Sequence, residues 1–368
     1  MQVNGTPYRS IWLEDDEKSV GIIDQTRLPH DFLKVYLKTA ADAAVAIQTM
    51  QVRGAPLIGA TAAWGIYLAT REDPTDTGLR ASCENLLSTR PTAVNLIWAI
   101  KRMKKRLLSL PLNKRKQEAK LLAQKICDED IEICHAIGNW GVNIIRDIWE
   151  TKGKSSTVNI LTHCNAGWLA TVDWGTATAP IYAANERGIP VHVWVDETRP
   201  RNQGAALTAW EFASHSVPHT LVVDNAGGHL MQRGKIDLLI TGADRAAENG
   251  DIANKVGTYL KALAAADNHV PFYVGLPGPT IDWTCQSGNK IPIEERGADE
   301  VLRITGQTKR GLIETVNIAP KTTQAANPAF DVTPAKLITG LITERGICTA
   351  SREGLKSLYP EKAKSPQT

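Results

Sequence analysis

From Ser156 onward the chain alternates between short β-branched runs and Ala-rich helical stretches, and this alternation constrains the fold more than any other feature. Strands are expected at Val158–Thr162, Val191–Val195, Thr220–Val223, Ile236–Thr241 and Pro271–Leu276. Helices are expected between them, at Ala177–Arg187, Ala205–Ser214 and Ile252–Asp267. Successive βα units of this length build a mostly parallel sheet with helices on both faces. In such sheets ligands bind in the crevice beyond the carboxyl ends of the strands. The residues that follow each strand are therefore the first place to look for chemistry.

The first part of the chain has a different texture. Ser10–Leu13 and Ser19–Asp24, followed by Leu28 and Pro29, suit short antiparallel strands. Ala40–Gln51, Ile58–Thr70 and Val94–Leu108 carry helical spacing, and a long charged amphipathic stretch, Asn113–Trp149, holds the junction. Gly138 and Gly141 suggest a bend in it. The expected fold class is α/β: a small, mainly helical N-terminal domain over residues 1–130, then a Rossmann-like domain with a mostly parallel sheet over 131–368. The polar tail beyond Tyr359 is expected to fray.

Composition narrows the function classes. With 43% hydrophobic and 22% charged residues the chain resembles an ordinary globular enzyme. A net charge of +3 is too small to argue for a nucleic-acid partner. The basic run Lys101–Arg106 lies in a helical pattern and suits a solvated face. No secretory h-region follows Met1 and no apolar run approaches about 18 residues, so neither export nor a membrane partner is expected. Six cysteines without C-x-x-C spacing fit cytosolic thiols and a cytoplasmic setting. No G-x-G-x-x-G follows a strand, and P-loop, H-E-x-x-H and zinc spacings are missing, so neither a dinucleotide nor a metal is predicted.

Two strand ends carry candidate chemistry. The run ending at Thr162 leads through His163 to Cys164, Asn165 and Gly167. A thiol there, near backbone N–H groups and a helix N-terminus, is expected to ionise more easily than a free cysteine. The plainer alternative is a small buried hydrophobe. His163 and Cys164 are neighbours on a strand and should face opposite ways, which argues against a Cys/His dyad. The run ending at Thr241 leads to Asp244, with Asn254 and Lys255 ten residues on. These supply a carboxyl group, an amide and a point charge suited to a phosphate or hydroxyl. Asp244 as an N-cap, or paired with Arg245, is the structural alternative.

The N-terminal part adds cations at helix entrances. Arg53, Gly54 and Ala55 precede Pro56, where glycine permits close backbone approach and exposed N–H groups form an anion site. Arg90 stands before Pro91 in a similar setting. Each arginine can clamp a phosphate or brace a loop by binding carbonyls. The polar segment from Asp196 to Gln203 and Gly204 is long enough to reach the same crevice.

These segments, Arg53-Gly-Ala-Pro, Arg90-Pro-Thr-Ala-Val-Asn, Thr162-His-Cys-Asn, Gln203-Gly, Gly242-Ala-Asp-Arg and Asn254-Lys-Val-Gly-Thr, together resemble one family in order and spacing. So do Ile291-Pro-Ile-Glu-Glu-Arg and Asn327-Pro-Ala-Phe-Asp. The chain is similar, from about Trp12 to Ile347, to the methylthioribose-1-phosphate isomerases, which are aldose–ketose isomerases of methionine salvage. These are related to regulatory subunits of the translation-initiation exchange factor, which generally lack the catalytic pair. The resemblance implies Cys164 and Asp244 as catalytic residues. It implies Arg53, Gly54, Ala55, Arg90, Gln203, Asn254 and Lys255 as substrate- and phosphate-binding positions. It also implies a sugar 1-phosphate substrate, a homodimer and no organic cofactor. Trp168, Trp174 and Trp283 are expected near the site, where they would shape the pocket for the 5-substituent. 5-Deoxyribose 1-phosphate is the competing substrate.

Overall fold

The computed structural model describes residues 1–363. A short hairpin, β1 (Gln2–Val3) and β2 (Thr6–Pro7), leads into an antiparallel sheet of β3 (Ile11–Leu13), β4 (Val20–Ile23) and β5 (Lys34–Leu37). Helix α1 (Ala40–Gln48) opens on a reciprocal cap between Thr39 and Asp42. Helix α2 (Ala55–Glu72) is small-residue-rich and apolar on all sides, and 15 of its 18 residues are buried. Such a helix must be surrounded. It packs against α1, α3 (Asp76–Thr89), α4 (Val94–Leu108) and α5 (Leu112–Thr151).

Helix α5 is continuous over 40 residues. The expected boundary at 130/131 falls inside it. Ala119, Ala123 and Ile126 join the core around α2, whereas Ile137, Val142 and Ile145 join the core beneath the large sheet. The helix is not interrupted at the glycines where a bend was expected. Gly138 and Gly141 instead let α6 (Ala179–Glu186) approach: a Cβ at Gly141 would lie 2.4 Å from Pro180 Cγ.

The βα alternation is present as expected. Strands β6 (Val158–Thr162), β7 (Val191–Asp196) and β8 (His219–Val222) alternate with α6, α7 (Ala209–Ser214) and α8 (Ala226–Gln232), and β9 (Leu238–Thr241) follows. Next come β10 (Arg245–Ala247), β11 (Ile252–Lys255), α9 (Thr258–Asp267), β12 (Phe272–Gly275) and β13 (Ile281–Asp282). The expected helix over Ile252–Asp267 is therefore a strand for its first four residues. Beyond α10 (Asp299–Leu302) lie the hairpin β14 (Arg303–Gln307) and β15 (Ile313–Asn317), then β16 (Phe330–Thr333), β17 (Gly340–Thr343), β18 (Gly346–Cys348) and α11 (Arg352–Leu358). Pro360–Ala363 is helical, contrary to the expected fraying from Tyr359 onward. The rest of that tail lies outside the described residues.

The large sheet has the order β18-β17-β12-β9-β6-β7-β8, parallel except for β18. From β6 the chain builds outward to β7 and β8, then returns to β9 on the other side of β6. The strand order thus reverses between β6 and β9, where open α/β sheets form a crevice at the carboxyl ends. A smaller sheet, β13-β10-β11-β16, stands beside it and carries Asn254 and Lys255.

Candidate active site

Cys164 and Asp244 each follow one of the two strands flanking this switch point. Cys164 has a left-handed backbone, φ 69°, which turns the chain sharply out of β6. Its N–H donates to Thr198 Oγ1 (2.8 Å), and its carbonyl accepts from Thr208 Oγ1 (2.8 Å). The thiol is buried and faces Gln203 Oε1 at 3.8 Å. No helix starts beneath it: a 3-10 turn, Trp168–Ala170, comes first. Burial pushes the thiol above its ordinary pKa, although Arg53 and Lys255 pull it down. The expected ease of ionisation is thus reversed by desolvation.

Asp244 is half-buried, and its side chain serves neither alternative role. It caps no helix, and Arg245 pairs instead with Asp282 at 3.1 Å. Burial raises the Asp244 carboxyl above the usual carboxylate range, opposed by the charges of Arg90, Lys255 and Arg53. The same two cations, Arg53 and Lys255, act on both Cys164 and Asp244, which places all four groups in one electrostatic neighbourhood.

Arg53 comes from the loop before α2. Gly54 carries φ +92°, and a Cβ there would lie 2.4 Å from the Ala170 carbonyl oxygen, so only glycine fits. No side chain caps the α2 N-terminus. The Arg53 guanidinium donates to Asn165 Oδ1 (2.5 Å) and to the Asn165 carbonyl (2.7 Å). It has no carboxylate partner among the described residues. Lys255 is also buried without one; its Nζ lies 5.2 Å from the Phe330 ring centre, and burial lowers its pKa. Two buried cations without a carboxylate partner among the described residues, one of them at an uncapped helix N-terminus, attract an anion. Arg90 differs: it pairs with Glu294 at 2.7 Å, and its buried Nε has no partner. Pro91 stands ahead of α4 rather than inside it. Asn254 donates through Nδ2 to Thr258 Oγ1 (3.0 Å), at the start of α9.

Two cavities take some of these groups into their walls, whereas Cys164, Asn254 and Lys255 line neither. A cleft of about 740 Å³ is lined by Arg53, Gln203, Arg201, Glu300 and Met50, with the β14–β15 hairpin along one side. A narrow cavity of about 30 Å³ is lined by Ala55, Arg90, Asp244 and Phe330. Trp168, Trp174 and Trp283 line neither. Trp168 packs on Trp210, Trp174 on His135 and Trp283 on Tyr359, so none of them shapes these cavities.

His163 points away from the thiol. Nδ1 lies 2.9 Å from Asp196 Oδ2, and Nε2 lies 2.9 Å from the Val256 carbonyl, so no Cys/His dyad forms. His163, Asp196 and Asp224 are spaced like metal ligands. The Lys261 ammonium already occupies that cluster, 3.1 Å from Asp196 Oδ2 and bonded to the Asp224 carbonyl. Sequence reasoning also missed Glu211. It lies fully buried on α7 and accepts from Asn165, Trp168, Leu169 and Tyr182. Burial pushes its carboxyl up to about 7, against the pull of those donors. Within a helix it is one polar residue among apolar ones, and no spacing marks it.

Comparison with known proteins gives the family. The model of the initiation factor 2 subunit family matches residues 51–350. Methylthioribose-1-phosphate isomerase of Rhodospirillum rubrum is 60% identical over 371 residues, covering 100% of this chain and 95% of that protein. The crystal structure of 5-methylthioribose 1-phosphate isomerase from Pyrococcus horikoshii superposes with a TM-score of 0.83 at 39% identity, covering 96% of each chain. A translation initiation factor eIF-2B subunit delta from A. fulgidus gives 0.77 at 35% identity, covering 96% of this chain and 100% of that one. The chain belongs to the methylthioribose-1-phosphate isomerases, within the initiation factor 2 subunit family.

Proposed function

We propose that this chain converts 5-methylthioribose 1-phosphate to 5-methylthioribulose 1-phosphate, the aldose–ketose isomerisation of methionine salvage. One observation carries the reading at the level of the site. Cys164 and Asp244 leave the two strands that flank the switch point, into a region whose cations Arg53 and Lys255 have no carboxylate partner among the described residues. A sugar phosphate brings the missing anion.

In an aldose 1-phosphate the anomeric oxygen is esterified, so simple ring opening gives no free aldehyde. Asp244, whose hold on a proton is strengthened by burial, donates to the ring oxygen as the bond from C1 to that oxygen breaks. The hydrogen on C2 then moves to C1, and the C2 hydroxyl gives its proton back to the Asp244 carboxylate as it becomes the carbonyl. Either Cys164, as thiolate, takes the C2 proton and returns it to C1 through a cis-enediol, or the hydrogen shifts as hydride while Cys164 shields the developing cation; burial of the thiol works against the first route. Solvent deuterium enters C1 only by the first route. Arg53, Lys255 and the N–H groups at the start of α2 hold the phosphate, with Arg90 completing the clamp. Gln203 and Asn254 offer side-chain amides to the sugar.

Phosphorus NMR tests the reading, with 5-methylthioribose 1-phosphate beside 5-deoxyribose 1-phosphate and an Asp244→Asn control. Conversion of the methylthio sugar, lost in the variant, is the expected result. Conversion of the deoxy sugar alone keeps the chemistry and changes the pathway. No conversion of either by folded protein points to a non-catalytic regulatory subunit. The reading includes a cytoplasmic homodimer, and light scattering on the eluted protein checks its mass.

A further inference from the structure

The Asn165 carboxamide can meet Arg53 with either end. The two ends have nearly the same shape, but only the oxygen accepts from a guanidinium; the amide nitrogen would set donor against donor. The groups that decide the orientation lie on the far side. Asn165 Nδ2 donates to Glu211 Oε1 at 2.9 Å and to Thr208 Oγ1 at 3.2 Å. The Thr208 hydroxyl hydrogen is committed to the Cys164 carbonyl, so toward Asn165 it offers lone pairs only. Thr208 ends a π-helical turn, Gly204–Thr208, that runs into α7. Such turns are frequent at functional sites.

Glu211 is the stronger of the two acceptors. Its Oε1 also accepts from the Leu169 N–H (3.0 Å), and Oε2 accepts from the Trp168 N–H (3.1 Å) and the Tyr182 hydroxyl (3.1 Å). No cation pairs with it among the described residues. The main chain passes so near that a Cβ at Gly167 would lie 1.8 Å from Glu211 Oε2. Burying a carboxylate without a counter-ion is costly, and a turn can be supported by neutral acceptors. With its two oxygens fixed by the Trp168, Leu169 and Tyr182 donors, Glu211 turns an acceptor toward Asn165 Nδ2 and so orders a chain from carboxyl to carboxamide to guanidinium.

We propose that Glu211 is a positioning residue for the isomerase site: by orienting the Asn165 carboxamide it holds Arg53 where the substrate's phosphate is received, a role that presupposes the phosphate assignment of Arg53. A merely structural Glu211 would change stability; a positioning Glu211 changes anion affinity through Arg53 and through nothing else.

The test is a double-mutant cycle on the full chain. KM and kcat for 5-methylthioribose 1-phosphate and the inhibition constant of inorganic phosphate are measured for wild type, Glu211→Gln, Arg53→Ala and the double variant. Glu211→Gln is expected to raise KM and the phosphate inhibition constant about tenfold, and to add no further change when Arg53 is already alanine. Tyr182→Phe removes a Glu211 donor remote from Asn165, so it should lower the melting temperature and leave KM unchanged. Independent, additive effects of Glu211→Gln and Arg53→Ala would overturn the proposal, as would unchanged phosphate inhibition in Glu211→Gln. If Arg53→Ala alone leaves phosphate inhibition unchanged, the phosphate assignment fails and this role fails with it. Should Glu211→Gln not fold, Asn165→Ala deletes the connecting carboxamide and must show the same rise and the same non-additivity.

Discussion

Arg53 binds Asn165 through both its side chain and its main chain, at 2.5 and 2.7 Å, one residue from Cys164. The loop entering α2 and the loop leaving β6 are thereby joined at the thiol. Neither the helical part nor the sheet part holds all of the proposed site residues. Arg53, Gly54, Ala55 and Arg90 come from one, and Cys164, Gln203, Asp244, Asn254 and Lys255 from the other.

Replacing Arg53 by lysine keeps the charge and loses the two-pronged donor geometry. Lysine cannot hold both Asn165 oxygens and still present N–H groups to a phosphate. Substrate KM is expected to rise about tenfold for Arg53→Lys, and further for Arg53→Ala, with kcat less affected. Steady-state kinetics with phosphate as a competitive inhibitor checks this; equal KM values for wild type and Arg53→Lys would remove the bidentate role.

Cys164→Ser and Asp244→Asn are expected to lower kcat by roughly 10²–10⁴, the usual scale for losing a positioned proton-transfer group, with KM within a few-fold of wild type. Near-normal turnover by Cys164→Ser would show that the thiol is dispensable.

Gly54→Ala combines two penalties. Its φ of +92° is unfavourable for alanine, and the new methyl group meets the Ala170 carbonyl at 2.4 Å. A stability loss of roughly 2–4 kcal/mol is expected in urea unfolding, together with lost activity, because the start of α2 carries Arg53. Unchanged unfolding would mean that the loop relaxes freely.

Asp130 gives a pH-dependent prediction. It is buried on α5 and accepts from the Val172 N–H; burial raises its carboxyl from 3.8 to about 7. A raised folded-state pKa means that the native protein holds the proton more tightly than the unfolded chain. The resulting stability is present below pH 3.8 and is lost as pH rises through about 7. Asp130→Asn removes this loss. Its melting temperature relative to wild type should therefore be higher at pH 8 than at pH 5, and a constant difference across that range would refute the buried titration.

The amino-acid sequence by itself determined the βα order, because apolar period and turn residues are local signals. It located the strand ends that carry Cys164 and Asp244 for the same reason. It also marked Gly54 correctly as a place of close approach. Motif order was enough to bring Arg53, Gln203 and Lys255 into one hypothesis. Only the tertiary structure decided the rest. Lys255 lies on a strand, since pairing of Ile252–Lys255 with Phe330–Thr333, far along the chain, overrides a helical pattern. Helix α5 runs uninterrupted through Gly138 and Gly141, whose missing side chains admit α6. The three tryptophans fill cores away from the cavities, as local sequence cannot say which side of a turn a ring will take. Burial raises the Cys164 thiol instead of easing its ionisation, and Glu211 reaches Arg53 through Asn165. Both depend on desolvation and on contacts between residues far apart in sequence, which no local spacing encodes.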